Sequence, residues 1–129
     1  MRQRRVVDRT VLIVEPDADA RAQLRATLEA DGYTVIATSG GDDALSIVDN
    51  PRITLVVTEL YLRNRRSRCL LSAICTPAPR RRTKVLAYTR YGHAKDRAWA
   101  AAAGADGYVL KKNGAARLLE VAGKLSRSA

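Results

Sequence analysis

The sequence predicts a doubly wound α/β domain built on a five-stranded parallel sheet in the order 2-1-3-4-5. Three observations carry this. Short apolar runs alternate with helix-patterned stretches five times along the chain, the pattern of successive βα units. The runs are nearly continuous in Val, Leu and Ile, as strands buried on both faces are. Each connection between strands is long enough to hold a helix, which suits parallel pairing through right-handed crossovers.

TVLIVE, Thr10–Glu15, reads as the first strand. In the following DADARAQLRATLEADG, Asp17 or Asp19 can cap a helix and Gly32 can end it. Leu24 and Leu28 share one face of that helix. YTVIAT, Tyr33–Thr38, is the second strand, and GGDDALSIVDNP a short helix stopped by Pro51. ITLVVT, Ile53–Thr58, is the third strand, followed by a helix in RCLLSAIC and a loop, TPAPRRR. KVLAYT, Lys84–Thr89, is the fourth strand. The Ala-rich AKDRAWAAAAG is strongly helical and closed by Gly104. Ala94, Ala98 and Ala101 are expected to face inward from it. Trp99 then either packs at the sheet edge or stands out as an interface anchor. GYVLK is the fifth strand. In the last helix, GAARLLEVAGKLS, Leu118, Val121, Ala122 and Leu125 follow the spacing of one apolar face.

Composition narrows the class. A chain of 129 residues fits one domain with one core, and 47% hydrophobic residues argue against disorder. No apolar run approaches the ~20 residues of a bilayer span. The basic start MRQRRVVDRT lacks a following signal segment, so a cytoplasmic location is expected. Cys69 and Cys75 form no CxxC pair and are expected to stay reduced. With His93 as the one histidine, a zinc site is excluded. The 23 basic and 13 acidic residues leave a net charge of +10. That balance favours anionic partners, nucleic acid among them, although a merely solvated Arg-rich surface carries equal weight. There is no recognisable helix-turn-helix or aromatic RNA-binding platform, and no nucleophile–base pair or metal cluster that would mark an enzyme.

In such a sheet the binding crevice lies at the carboxyl ends of the strands, beside the switch between strands 1 and 3. Those ends carry Glu15-Pro16-Asp17, Thr58-Glu59, Thr89 and Lys111-Lys112, so acids, a hydroxyl and an ammonium converge on one rim.

Over almost its whole length the chain resembles the response-regulator receiver domain family, of flavodoxin-like fold. VLIVEPDADARAQLRATLEADGYTV resembles the family's first strand, acidic cluster, first helix and second strand. LVVTELYL resembles its third strand and phosphoacceptor, and VLAYT its fourth strand and hydroxyl residue. GADGYVLKK resembles its closing motif, and 22 positions separate Thr89 from Lys111, as in the family. The expected organisation is a basic extension over residues 1–9 and a receiver-like domain over 10–126.

The resemblance implies an aspartate that takes up a phosphoryl group, an acidic pair that holds Mg²⁺, and a hydroxyl and lysine that bind the product. This sequence keeps Thr89 and Lys111. The phosphoacceptor position holds Glu59, and the acidic pair reads Glu15-Pro16, so one carboxylate is missing. Asp17 stands next door as a substitute. The family's usual proline and glycine in the next loop align with Arg63 and Ser67, and its proline after the lysine with Lys112. A cis bond at Lys112 is therefore not expected, since without proline it costs about 2.5–4 kcal/mol.

The extra methylene of Glu59 displaces the attacking oxygen, and a shift near 1 Å costs ~10²-fold in rate. Efficient phosphorylation is not expected, and Mg²⁺ binding is expected to be lost or weak. Two carboxylates such as Glu15 and Glu59 at ~4 Å repel by ~1 to 4 kcal/mol. Lys111, or internal cations drawn from Arg63, Arg65 and Arg66, would offset that in place of a metal. Tyr108 occupies the family's aromatic switch position, inward or outward. The family's partner or homodimer face, the fourth helix, fifth strand and fifth helix, here carries Lys95, Arg97, Lys112, Arg117 and Lys124 with Asp96, Asp106 and Glu120. The leading expectation is a phosphorylation-independent protein-interaction module in signalling or transcriptional control. A basic nucleic-acid-binding domain on the same scaffold comes second, and a conventional phosphoacceptor last.

Overall fold

Five parallel strands form one sheet in the order β2-β1-β3-β4-β5. They are β1 (Thr10–Val14), β2 (Thr34–Thr38), β3 (Ile53–Thr58), β4 (Lys84–Thr89) and β5 (Gly107–Leu110). The helices between and after them are α1 (Ala18–Ala30), α2 (Gly41–Ile47), α3 (Leu70–Cys75), α4 (Ala94–Ala103) and α5 (Gly114–Ser128), with a 3₁₀ turn over Lys111–Asn113. The computed structural model describes residues 9–62, 70–75 and 83–128. Most of the basic extension, the loop holding Arg63, Arg65 and Arg66, and the TPAPRRR loop lie outside the described residues.

Strand alternation explains why the apolar runs are continuous. Leu12 and Val14 enter one core with Val56, Val85 and Ala87, covered by residues of α2, α3 and α4. Val11 and Ile13 enter the other with Leu55, Val57, Leu86 and Val109, covered by Leu24 and Leu28 of α1 and Leu118 and Ala122 of α5. With no polar face to leave exposed, β1 is buried at every position. Val121 and Leu125 pack at the border of the second core, completing the face expected of α5.

Local chemistry sets the boundaries. Asp17 caps α1, accepting the Ala20 N–H at 2.8 Å. Gly32 (φ 94°) and Gly104 (φ 108°) occupy the left-handed region just past α1 and α4, which glycine enters without a Cβ penalty. Helix α2 ends before Pro51: Val48 closes it on Ala44, and a turn from Asn50 to Ile47 follows. Glu15 lies one residue beyond β1, although its N–H still donates to Thr38 O at 3.0 Å. Lys111 likewise leaves β5 for the 3₁₀ turn, because the backbone closes back on Lys111 O from Gly114. No described peptide bond is cis.

The inward face of α4 differs from expectation. Ala94, Ala98 and Ala101 are exposed, whereas Asp96 and Ala100 are buried and Trp99 and Ala103 pack on the first core. The helix is rotated so that its one aromatic side chain, Trp99, meets apolar surface together with Ala100 and Ala103, while Ala94, Ala98 and Ala101 face out. Trp99 is thus a half-buried packing residue.

Candidate functional site

The carboxyl ends of β1, β3, β4 and β5 bring Glu15, Glu59, Thr89 and Lys111 together. Lys111 is their hub. Its Nζ donates to Glu15 Oε1 at 2.5 Å and lies 4.0 Å from Glu59 Oε2. The Glu15 side chain is 6% exposed and that of Glu59 15%. At these burials an ammonium between two carboxylates is screened far less than a surface pair. Glu59 Oε1 accepts from the Thr89 hydroxyl at 3.0 Å. Glu59 Oε2 is the one buried side-chain polar atom among the described residues without a hydrogen bond.

That environment acts on the proton affinity of Glu59. Burial raises its carboxyl above the ordinary glutamate range, opposed by the Lys111 charge and the Thr89 hydroxyl and reinforced by Glu15. Withdrawal from water outweighs the attraction because Lys111 is drawn toward Glu15.

Neighbouring backbone fixes the rim. Glu15 Oε2 accepts the Asp17 N–H at 3.1 Å, and Asp17 spends its own Oδ2 on the α1 cap. Pro16 is exposed beside it. The Arg21 guanidinium donates to the carbonyls of Glu15 (2.9 Å) and Pro16 (3.3 Å), pinning the loop that presents Glu15. Sequence reasoning missed Arg21. Its signal was a cation in the first helical turn, where the dipole disfavours one unless a local acceptor holds it.

Beside these residues stands a group of aromatic side chains, in which Tyr61 and Tyr91 join the Tyr108 and Trp99 singled out from the sequence. The Tyr61 hydroxyl donates to Asp96 Oδ1, and Asp96 Oδ2 accepts the His93 N–H at 3.2 Å. His93 is therefore the N-cap residue of α4. The Tyr61 ring lies 5.2 Å from both Tyr91 and Trp99. Tyr108 turns its hydroxyl to the Tyr91 carbonyl at 2.5 Å, away from Thr89, under the guanidinium of Arg97. Tyr91 N–H in turn reaches Thr89 Oγ1 at 3.3 Å, linking the aromatic group to the pocket. Asp96 is thus a buried structural acid. Asp106, though exposed, is also held in a structural contact, accepting Val85 N–H at 2.8 Å.

A family model described as the response regulator receiver domain matches residues 11–122. The chain belongs to that family. Solved receiver structures share its fold. The chemotaxis protein CheY4 of Vibrio cholerae superposes with a TM-score of 0.78 at 21% identity, over 90% of this chain and 97% of that one. The receiver domain of NtrX from Brucella abortus gives 0.79 at 23%, over 92% and 99%. A CheY-like receiver domain protein of Methanospirillum hungatei gives 0.77 at 24%, over 92% and 94%. Against a longer NtrX chain solved with ATP, this receiver spans 27% of the length. No curated protein matches. No helix among the described residues is long and apolar enough to cross a membrane.

Proposed function

We propose that this receiver domain works as a phosphorylation-independent interaction module, with Lys111 in the role that a metal ion has in a phosphorylated receiver. The observation that carries this reading is the 2.5 Å contact of Lys111 Nζ with Glu15 beside Glu59. The lysine that would receive a phosphoryl oxygen is already engaged by a carboxylate.

The donor set does not fit Mg²⁺. That ion demands near-octahedral oxygen coordination. Here Glu15 Oε1 is taken by Lys111 and Oε2 by the Asp17 N–H. Pro16 has no carboxylate, Asp17 caps a helix, and Glu59 Oε1 holds Thr89. Glu59 Oε2 is the one buried side-chain oxygen among the described residues left without a hydrogen bond. Glu59 is a fixed carboxylate bonded to Thr89, a partial imitation of a phosphorylated side chain that lacks the three acceptor oxygens of a phosphate. The signalling surface is then held in one state, and partner binding through the α4–β5–α5 side is set by the chain itself.

Incubation with acetyl phosphate and Mg²⁺ followed by intact-mass measurement tests this. The mass should stay that of the unmodified chain, and partner binding should not change with beryllofluoride. Stoichiometric, Mg²⁺-dependent phosphorylation at Glu59 would overturn it.

A further inference from the structure

The largest apolar groups exposed among the described residues are Tyr61 (47%) and Tyr91 (37%). They adjoin each other beside Thr89, one from the loop after β3 and one from the loop after β4. The segment that carries Tyr91 and enters α4 reads RYGHAKDRA, Arg90–Ala98. Its cations Arg90, Lys95 and Arg97 are exposed, and its single acid, Asp96, is 3% exposed and bonded to the Tyr61 hydroxyl. The clasp between Tyr61 and Asp96 therefore does two things. It fixes an aromatic ring at the surface and hides the one charge that would offset the arginines.

We infer that this cationic, tyrosine-faced rim of Tyr61, Arg90, Tyr91 and Arg97 docks an acidic polypeptide segment carrying an apolar side chain. The inference rests on the interaction-module reading and names its partner's chemistry. Charge complementarity selects the class: guanidinium groups offer paired donors to carboxylates, and tyrosine supplies contact area at small entropic cost. A second copy of this chain is disfavoured, since each carries +10 and like charges repel on approach. Nucleic acid is also anionic, but its bases need open aromatic faces for stacking. Here Arg90 lies over Tyr91 at 5.7 Å and Arg97 over Tyr108 at 4.8 Å, and Tyr61 is flanked by Tyr91 and Trp99.

Trp99 is the one tryptophan of the chain and lies 5.2 Å from Tyr61, so its fluorescence reports occupancy of the rim. The test titrates the protein with a panel of glutamate-rich peptides, each with one leucine or phenylalanine. Matched lysine-rich peptides and a single-stranded oligonucleotide serve as controls. Saturable change is expected with acidic peptides, about tenfold weaker for each of Arg90→Ala and Arg97→Ala and unchanged for Arg52→Ala, which removes the same charge from an exposed position just ahead of β3, at the opposite end of the strands. No saturable response from any acidic peptide overturns the inference. So does equal binding of the lysine-rich set, tighter binding of the oligonucleotide, or indifference to both arginine variants. Phosphorylation of Glu59 would remove the parent reading while leaving this outcome to be read separately.

Discussion

Glu59 is held in a site that resists its charge. Its carboxyl is raised by burial, so the folded state binds a proton more tightly than the unfolded chain does. Such a group favours folding below the unfolded value of 4.5 and loses that contribution as pH rises through the higher folded value. Glu59→Gln should therefore raise the melting temperature at pH 7, with the advantage shrinking as both proteins are taken to pH 4. An advantage that grew on acidification would mean that Glu59 is instead stabilised as an anion. Tyr61 offers a second residue-scale check. Its bond to Asp96 pushes the phenol up to about 12 and holds the Asp96 carboxyl low. Burial also raises the phenols of Tyr88 and Tyr108, so a difference titration of tyrosinate absorbance should show several late-ionising groups, of which the latest moves back toward ~10 in Asp96→Asn. An unchanged curve would show that the bond is not formed in solution.

At the scale of elements, the boundaries follow from caps that can be removed singly. Asp17→Ala deletes the side-chain acceptor for Ala20 N–H and should cost about 1 kcal/mol in denaturant unfolding. If Asp17 held a metal instead, the loss would depend on Mg²⁺. The rotation of α4 is tested by two substitutions of equal size. Ala100→Leu, at a position 1% exposed, should destabilise by about 1–3 kcal/mol through overpacking, whereas Ala98→Leu on the exposed face should lie within about 0.5 kcal/mol of wild type. The sequence failed at this element for a physical reason. A run of alanines has almost no apolar periodicity, so only tertiary packing of Trp99 decides which face turns inward. The strands were legible because burial on both faces writes itself as uninterrupted apolar residues. The same logic located Glu15, Glu59, Thr89 and Lys111, each the residue at or just after a strand's end. The Tyr61–Asp96 clasp was not legible, because it joins positions 35 apart whose proximity only the folded chain creates, whereas Arg21 left a local signal, a cation in the first turn of α1 close to the carbonyls it holds. The arginines proposed as internal cations, Arg63, Arg65 and Arg66, fall outside the described residues, and Lys111 carries the charge compensation described above.

Across the whole molecule, the pocket and the exposed rim are parts of one network. Glu59 bonds Thr89, Thr89 accepts from Tyr91, and Tyr91 packs on Tyr61 and receives Tyr108. On the proposed reading, a receiver whose lysine and hydroxyl are already engaged by its own acids has its surface set by sequence rather than by a phosphoryl donor. Magnesium is the most direct probe of that claim, because Lys111 and a divalent ion would compete for the same carboxylates. Isothermal titration with MgCl₂, alone and with beryllofluoride, should give no binding heat up to millimolar concentration and no shift in melting temperature. Saturable Mg²⁺ binding at millimolar affinity or better, abolished by Glu15→Gln, would contradict the account.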